Sequence, residues 1–205
     1  MKKINKYISE RLHINKNISN HYNYHPTTQD ELTQLVDKLI KERGNEANLN
    51  DIDTSEIIDM SYVFYESKFN GDISEWDVSN VEDMGYMFGF SDFTGENGDI
   101  SNWDVSNVIY MPCMFDHSKF NGDISKWDVI NVKYMHYMFS NSKFNGDLSN
   151  WDVSNVEDMR FMFSNSSFTG ENGDISKWNV SNIEDMRFMF NGTPLEKNPP
   201  KWYKL

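Results

Sequence analysis

Apolar positions along this chain return on a fixed beat. The stretch Phe69 to Val81 reads FNGDISEWDVSNV, and it comes back with few changes from Phe93, Phe120, Phe144 and Phe168. Between copies stands a second phrase, of which MGYMF at Met84 and MHYMF at Met135 are examples. The unit is 24 residues long, and the units starting at Phe93 and Phe168 carry three residues more. Self-similarity at such a period predicts a stacked array, each unit laid on the one before. Within a unit, Ile73, Trp76, Val78 and Val81 hold positions 1, 4, 6 and 9. Val81, Met84, Met87 and Phe88 then follow at helical spacing.

The order 1, 4, 6, 9 is that of a leucine-rich repeat, L-x-x-L-x-L-x-x-N. The step of two from Trp76 to Val78 predicts a short strand with both side chains inward and Glu75 and Asp77 outward. Ser79 with Glu82, Ser154 with Glu157 and Ser181 with Glu184 read as capping boxes, so the return leg is predicted to be a short helix. Asn-Gly before Asp72, Asp123 and Asp147 reads as the turn back into the next strand. The fold expectation is therefore an α/β repeat: a right-handed leucine-rich-repeat-like solenoid with a short parallel sheet on one face, short helices on the other and a helical N-terminal cap.

Stacking the copies gives columns. Met60, Met84, Met111, Met135, Met159 and Met186 form one; Phe64, Phe88, Phe115, Phe139, Phe163 and Phe190 another; Phe69, Phe93, Phe120, Phe144 and Phe168 a third; Trp76, Trp103, Trp127, Trp151 and Trp178 a fourth. Eleven of the twelve methionines are repeat residues, which marks Met here as a core choice. The tryptophans stand in the inward register, so core burial is expected of them ahead of a sugar-stacking platform. A half-repeat beginning at Leu49 precedes the first full one. At the other end Leu195 falls in a Phe column and Trp202 in the Trp column, and Pro199, Pro200, Lys201 and Lys204 discourage edge pairing.

Residues 1–48 lie outside the repeat and form a helical segment and cap; residues 49–205 are the repeat body with its degenerate closing coil. Ile4, Tyr7, Ile8 and Leu12 predict a short helix from Lys3 to about Leu12, followed by a polar loop. Thr28 with Glu31, an apolar face of Leu32, Leu35, Val36, Leu39 and Ile40, and Gly44 as a stop predict a helix over Gln29 to Arg43 that covers the open end of the array. His13, His21 and His25 lie close in sequence, but no finger-type or helical spacing supports a metal site.

The net charge of −13 argues against nucleic acid or an anionic membrane as partner. Its distribution is uneven: residues 1–45 hold eight Lys or Arg against five Asp or Glu, and residues 46–205 hold eleven against twenty-seven. The single cysteine, Cys113, excludes an internal disulfide framework. It stands in a column otherwise filled by Tyr62, Tyr86, Tyr137, Phe161 and Phe188, and reads as a packed thiol. No run approaches the ~18 apolar residues of a membrane span. Met1-Lys-Lys is followed by polar and charged residues, so no secretory signal and no lipobox cysteine is read.

Two acidic columns carry the candidate chemistry. Asp53, Asp77, Asp104, Asp128, Asp152 and Asn179 form one, and Asp72, Asp99, Asp123, Asp147 and Asp174, after glycine, form the other. They read either as a ligand-facing acidic ribbon or as turn residues whose carboxylates accept local donors, and the second is favoured residue by residue. Oxygen-rich turns suit calcium, but the calcium-binding nonapeptide pattern is absent, so no cofactor and no metal ligand is assigned. No catalytic motif stands outside the repeat.

With NGDISxWDVSNVxxM in hand, residues 45 to 205 resemble the BspA-like leucine-rich-repeat surface proteins of bacteria, in the branch with Trp-Asp-Val and Met-Phe phrases. The resemblance implies an adhesion or protein-binding module without enzymatic activity, displayed on the cell surface or secreted. The absent signal sets a cytoplasmic or phage-borne protein beside that expectation. The expected binding face carries Glu75, Asn102, Lys126, Asn150 and Lys177, which differ from copy to copy, beside Asp77, Asp104, Asp128, Asp152 and Asn179. Glu96 and Glu171, in the two longer units, are expected to protrude on one rim. The partner class is a protein, with a basic one favoured by the charge. A structural or assembly role and calcium-assisted glycan binding are the alternatives.

Overall fold

The computed structural model of the chain describes residues 22–204. The helix expected from Lys3 to Leu12, and His13 and His21, lie outside the described residues. Helix α1 spans Gln29–Arg43, with Thr28 at its N-cap. The Thr28 side chain accepts from the Glu31 amide, and the Glu31 carboxylate accepts the amide and hydroxyl of Thr27. Leu32, Val36 and Leu39 are fully buried and belong to the one continuous core. At the start of α1, Gln29 Nε2 donates to the Ser61 carbonyl at 2.7 Å, meeting an acceptor of the first coil. At its end, Arg43 grips both carboxylate oxygens of Asp51 at 2.9 and 3.0 Å and lies over the Tyr24 ring. Both ends of the helix are thereby tied to the array.

The expected sheet and return helices are not there. Among the described residues α1 is the one α-helix, joined by two three-residue 3-10 turns, and strand pairing is limited to seven isolated parallel bridges. The body is a stack of irregular coils, which corrects the α/β solenoid expectation on both of its faces.

The Met-Phe leg shows why no helix forms. Met60, Tyr62, Phe64 and Glu66 donate their amides to Asp83, Gly85, Met87 and Gly89 of the next coil at 2.8–3.0 Å. Between them Val63, Tyr65 and Ser67 close turns on Met60, Tyr62 and Phe64 three residues back. The same alternation recurs from Met84, Met111, Met135 and Met159. It requires a left-handed residue in the middle of each turn pair. Among the described residues eleven non-glycine residues adopt positive φ, including Tyr62 (62°), Glu66 (54°), Tyr86 (56°), Cys113 (55°), Asn141 (53°) and Asn165 (54°). A left-handed residue breaks an α-helix and turns alternate peptide groups along the stack axis. The i, i+3, i+4 spacing of Met84, Met87 and Phe88 survives because consecutive tight turns also bring such residues to one side.

The Trp-Asp-Val leg shows why no sheet forms. The Trp76 and Val81 amides close turns on Ile73 and Val78, and Ser74 and Ser79 donate to the carboxylates of Asp72 and Asp77. Curled and locally bonded, this backbone makes no amide ladder to its neighbour. Side chains join the coils here instead. The indole N–H of Trp76, Trp127, Trp151, Trp178 and Trp202 reaches the carbonyl of Leu49, Ile100, Ile124, Leu148 and Ile175 at 2.9–3.1 Å. The amides of Asn80, Asn107, Asn131, Asn155 and Asn182 donate to carbonyls one coil back at 2.6–2.8 Å.

The inward register is as the periodicity predicts. Ile73, Trp76, Val78 and Val81 are buried, and Trp76, Trp103, Trp127, Trp151 and Trp178 are core residues at 3–6 % exposure. Phe64, Phe88, Phe115, Phe139, Phe163 and Phe190 form a ladder with centroids 5.4–5.9 Å apart and planes within 5°. Gly71 sits where an added Cβ would fall 2.0 Å from the Ala47 carbonyl, so the coil turns there only with glycine. Trp202 stacks on Trp178 with centroids 6.0 Å apart, taking the place its spacing predicts.

One tryptophan differs: the Trp103 indole N–H is buried without an acceptor among the described residues. Trp127→Phe removes the indole bond to the Ile100 carbonyl, which keeps the Trp103 amide as its other donor, whereas Trp103→Phe removes an already unsatisfied group. A net hydrogen bond contributes about 0.5–1.5 kcal/mol. Urea unfolding is expected to show Trp127→Phe as the more destabilising by about that amount; equal losses would contradict the indole ladder.

Candidate functional site

The turn beside each tryptophan is built by its aspartate. Asp77 Oδ1 accepts the Ser79 amide at 3.0 Å and hydroxyl at 2.6 Å, and Asp104 does the same with Ser106 at 3.1 and 2.6 Å. Asp128 accepts the Ile130 amide, Asp152 the Ser154 amide, and Asn179 the Ser181 amide. The other column is equivalent: Asp72, Asp99, Asp123, Asp147 and Asp174 accept the amide two residues on at 2.8–3.0 Å. A side chain that caps its own turn holds the loop shape, which is the structural reading of both columns.

All ten residues of the expected face, Glu75, Asp77, Asn102, Asp104, Lys126, Asp128, Asn150, Asp152, Lys177 and Asn179, are exposed. They recur coil after coil and form one strip on turns, not on a sheet. Glu75, Asn102, Lys126, Asn150 and Lys177 make no side-chain hydrogen bond or ion pair within 4.0 Å among the described residues, while their neighbours carry the turn. The two longer loops are superposable in their bonding. Thr94 and Thr169 donate their amides to Asn70 and Asn145, and Glu96 and Glu171 donate theirs to the threonine hydroxyls. Glu96 and Glu171 are exposed at equivalent places.

Several carboxylates are held below their usual range. The Ser154 hydroxyl and amide lower Asp152, the Ser176 hydroxyl and amide lower Asp174, the Arg43 guanidinium lowers Asp51, and that of Arg187 takes Asp185 to about 2. A depressed acid stabilises the fold above its unfolded pKa, about 3.9 for Asp, and loses that contribution as pH falls through the folded value. Stability in urea is therefore expected to hold from pH 7 to about 5 and to fall steadily towards pH 2. A flat profile below pH 4 would contradict the turn-capping role.

Among the described residues no group of three or more His, Cys, Asp and Glu side chains converges to hold a metal ion, and no helix is long and apolar enough to cross a membrane. His25 pairs with Asp53 at 3.2 Å. Cys113 is buried, and burial pushes its thiol up to about 11, the opposite of activation for nucleophilic chemistry.

Sequence reasoning missed two features. The first is the asparagine ladder from Asn80 to Asn182, whose signal is a polar residue kept at one exposed place in every copy. The second is the surface of the Met-Phe leg. There the left-handed residues carry Tyr62, Tyr86, Tyr137, Phe161 and Phe188 outward, stacked in pairs at 4.6–4.9 Å, with Tyr62 49 % and Phe188 50 % exposed. A column read as helix gives no warning of such a face.

One family model, described as "Mycoplasma protein of unknown function, DUF285", matches residues 31–141 and again 89–202. The two spans overlap, and together they run from Glu31 within α1 to Trp202 at the end of the stack. No curated protein and no solved structure matches the chain.

Proposed function

We propose, for a chain that belongs to the DUF285 family, a non-enzymatic role as an interaction module that binds a protein partner through the turn strip. The observation that carries this reading is the division of labour within each turn. Asp77 and its equivalents fix the backbone, and the exposed position two residues before changes from Glu75 to Asn102, Lys126, Asn150 and Lys177, whose side chains make no bond among the described residues. Constant scaffold beside variable, unengaged side chains is the arrangement of a display surface. The repeat's resemblance to BspA-like surface proteins supports an adhesive role, and the surplus of carboxylates on the body favours a basic partner.

The test is affinity capture with the full chain and with a variant carrying serine at all five display positions. The expected result is one partner retained by the first and lost by the second, at unchanged melting temperature. Its binding weakens as salt is raised. A partner held equally by both proteins would contradict the turn strip as the binding face.

A further inference from the structure

Among the described residues four of the five most exposed large apolar side chains, Tyr62, Phe90, Tyr110 and Phe188, lie along the Met-Phe face and not on the turn strip. Exposed apolar surface gathered on one face marks an interface. The stacked rings present mainly their edges, since each covers its neighbour's faces, as Tyr62 and Tyr86 do with planes 10° apart. Edges suit another packed face better than a sugar or a cation, both of which bind ring faces.

The order of residues along the stack says what that other face is. Beside the ring column runs the bridge column, Asp59, Asp83, Tyr110, Tyr134, Asp158 and Asp185, which reads the same from either end. The positions two residues on from Asp59 and Asp83 hold the small Ser61 and Gly85; those after Asp158 and Asp185 hold Arg160 and Arg187. Arg160 and Arg187 pair with the acids of their own rows at 3.3 and 2.7 Å. Asp59 and Asp83 are bridged neighbours with no cation in reach among the described residues, and burial together with Asp59 raises the Asp83 carboxyl.

We propose that this face binds a second copy of the chain, turned end for end about a two-fold axis across the middle of the stack. That operation lays Tyr110 of each copy on Tyr134 of the other, and Tyr62 on Phe188. It faces Asp185 and Asp158 of one copy with Asp59 and Asp83 of the other, and sets Arg187 and Arg160 between the two acids of each row, over the small Ser61 and Gly85. Long cations meet small residues and acids that bond only the amides of their own turns, and the surface complements itself as a two-fold interface must. None of the display residues of the turn strip takes part, so this dimer stands or falls independently of partner binding.

Sedimentation equilibrium of the full chain is expected to show a reversible dimer at micromolar concentration. Tyr62→Asn with Phe188→Asn keeps residue types that accept positive φ and is expected to weaken the dimer about tenfold or more, with the melting temperature of the monomer retained. The register is tested with Ser61→Cys and Arg187→Cys in one chain. These sites stand five coils apart, about 24 Å at the usual spacing, beyond the reach of an internal disulfide. Oxidation is expected to give a covalent dimer from the double variant and none from either single one. A monomer at every concentration, a dimer indifferent to the asparagine pair, or cross-linking by Ser61→Cys alone would each overturn the proposal.

Discussion

Phe115→Ala is expected to lower the melting temperature by about 6–20 °C. Phe115 is fully buried in the middle of the ladder, with ring centroids of Phe88, Phe120 and Phe139 at 5.6, 4.2 and 5.7 Å. Removing a buried Phe side chain costs about 3–5 kcal/mol, and each kcal/mol moves the midpoint of a chain this size by about 2–4 °C. Two coil interfaces lose the ring at once, and coils touch only their neighbours, so the two halves of the stack lose coupling. Calorimetry should therefore show a broadened or split transition. A sharp transition shifted by less than a degree or two would mean that the rings do not carry the stack.

The second large effect concerns the backbone. Asn141→Val together with Asn165→Val is expected to cost about 2–4 kcal/mol, and the same two positions changed to Gly to cost nothing or to stabilise slightly. Both residues are exposed and sit at φ of 53° and 54°. The left-handed conformation costs an ordinary residue about 1–2 kcal/mol and a β-branched one is the worst fitted to it; glycine is free of the penalty. Denaturant unfolding of the two double variants decides the matter. If valine and glycine behave alike, alternate peptides are not turned by left-handed residues, and the Met-Phe leg is built some other way.

What could be read from the residues was the period, the columns and the side that faces inward. Ile73, Trp76, Val78 and Val81 are buried as their spacing requires, α1 runs from Gln29 to Arg43 as its cap and stop signals require, and Trp202 completes the tryptophan column. What was misread was the backbone between those points. Inward register constrains where side chains go and leaves open which peptide groups bond to which. A step of two is compatible with a strand and also with an extended link between two turns; a step of three and four suits a helix and also a pair of tight turns. The clue to the second in each case was side-chain chemistry. Asp followed two residues on by Ser marks a turn that the side chain closes, and His117, Asn141, Asn165 and Gly192, residue types that accept positive φ, share one column. The turn strip was found because it needs only outward direction. The aromatic face was missed because it needs the left-handed residues.

Amide hydrogen exchange followed by NMR tests the architecture on which both surfaces rest. The amides of Met84, Tyr86, Phe88 and Phe90 donate to the next coil at 2.8–2.9 Å and are expected to be strongly protected. Those of Asp77, Asp104, Asp128 and Asp152 have no acceptor among the described residues and are expected to exchange orders of magnitude faster. If the aspartate amides were as protected as that of Phe88, a parallel sheet would run along the Trp-Asp-Val leg, and the coil stack described above would be wrong.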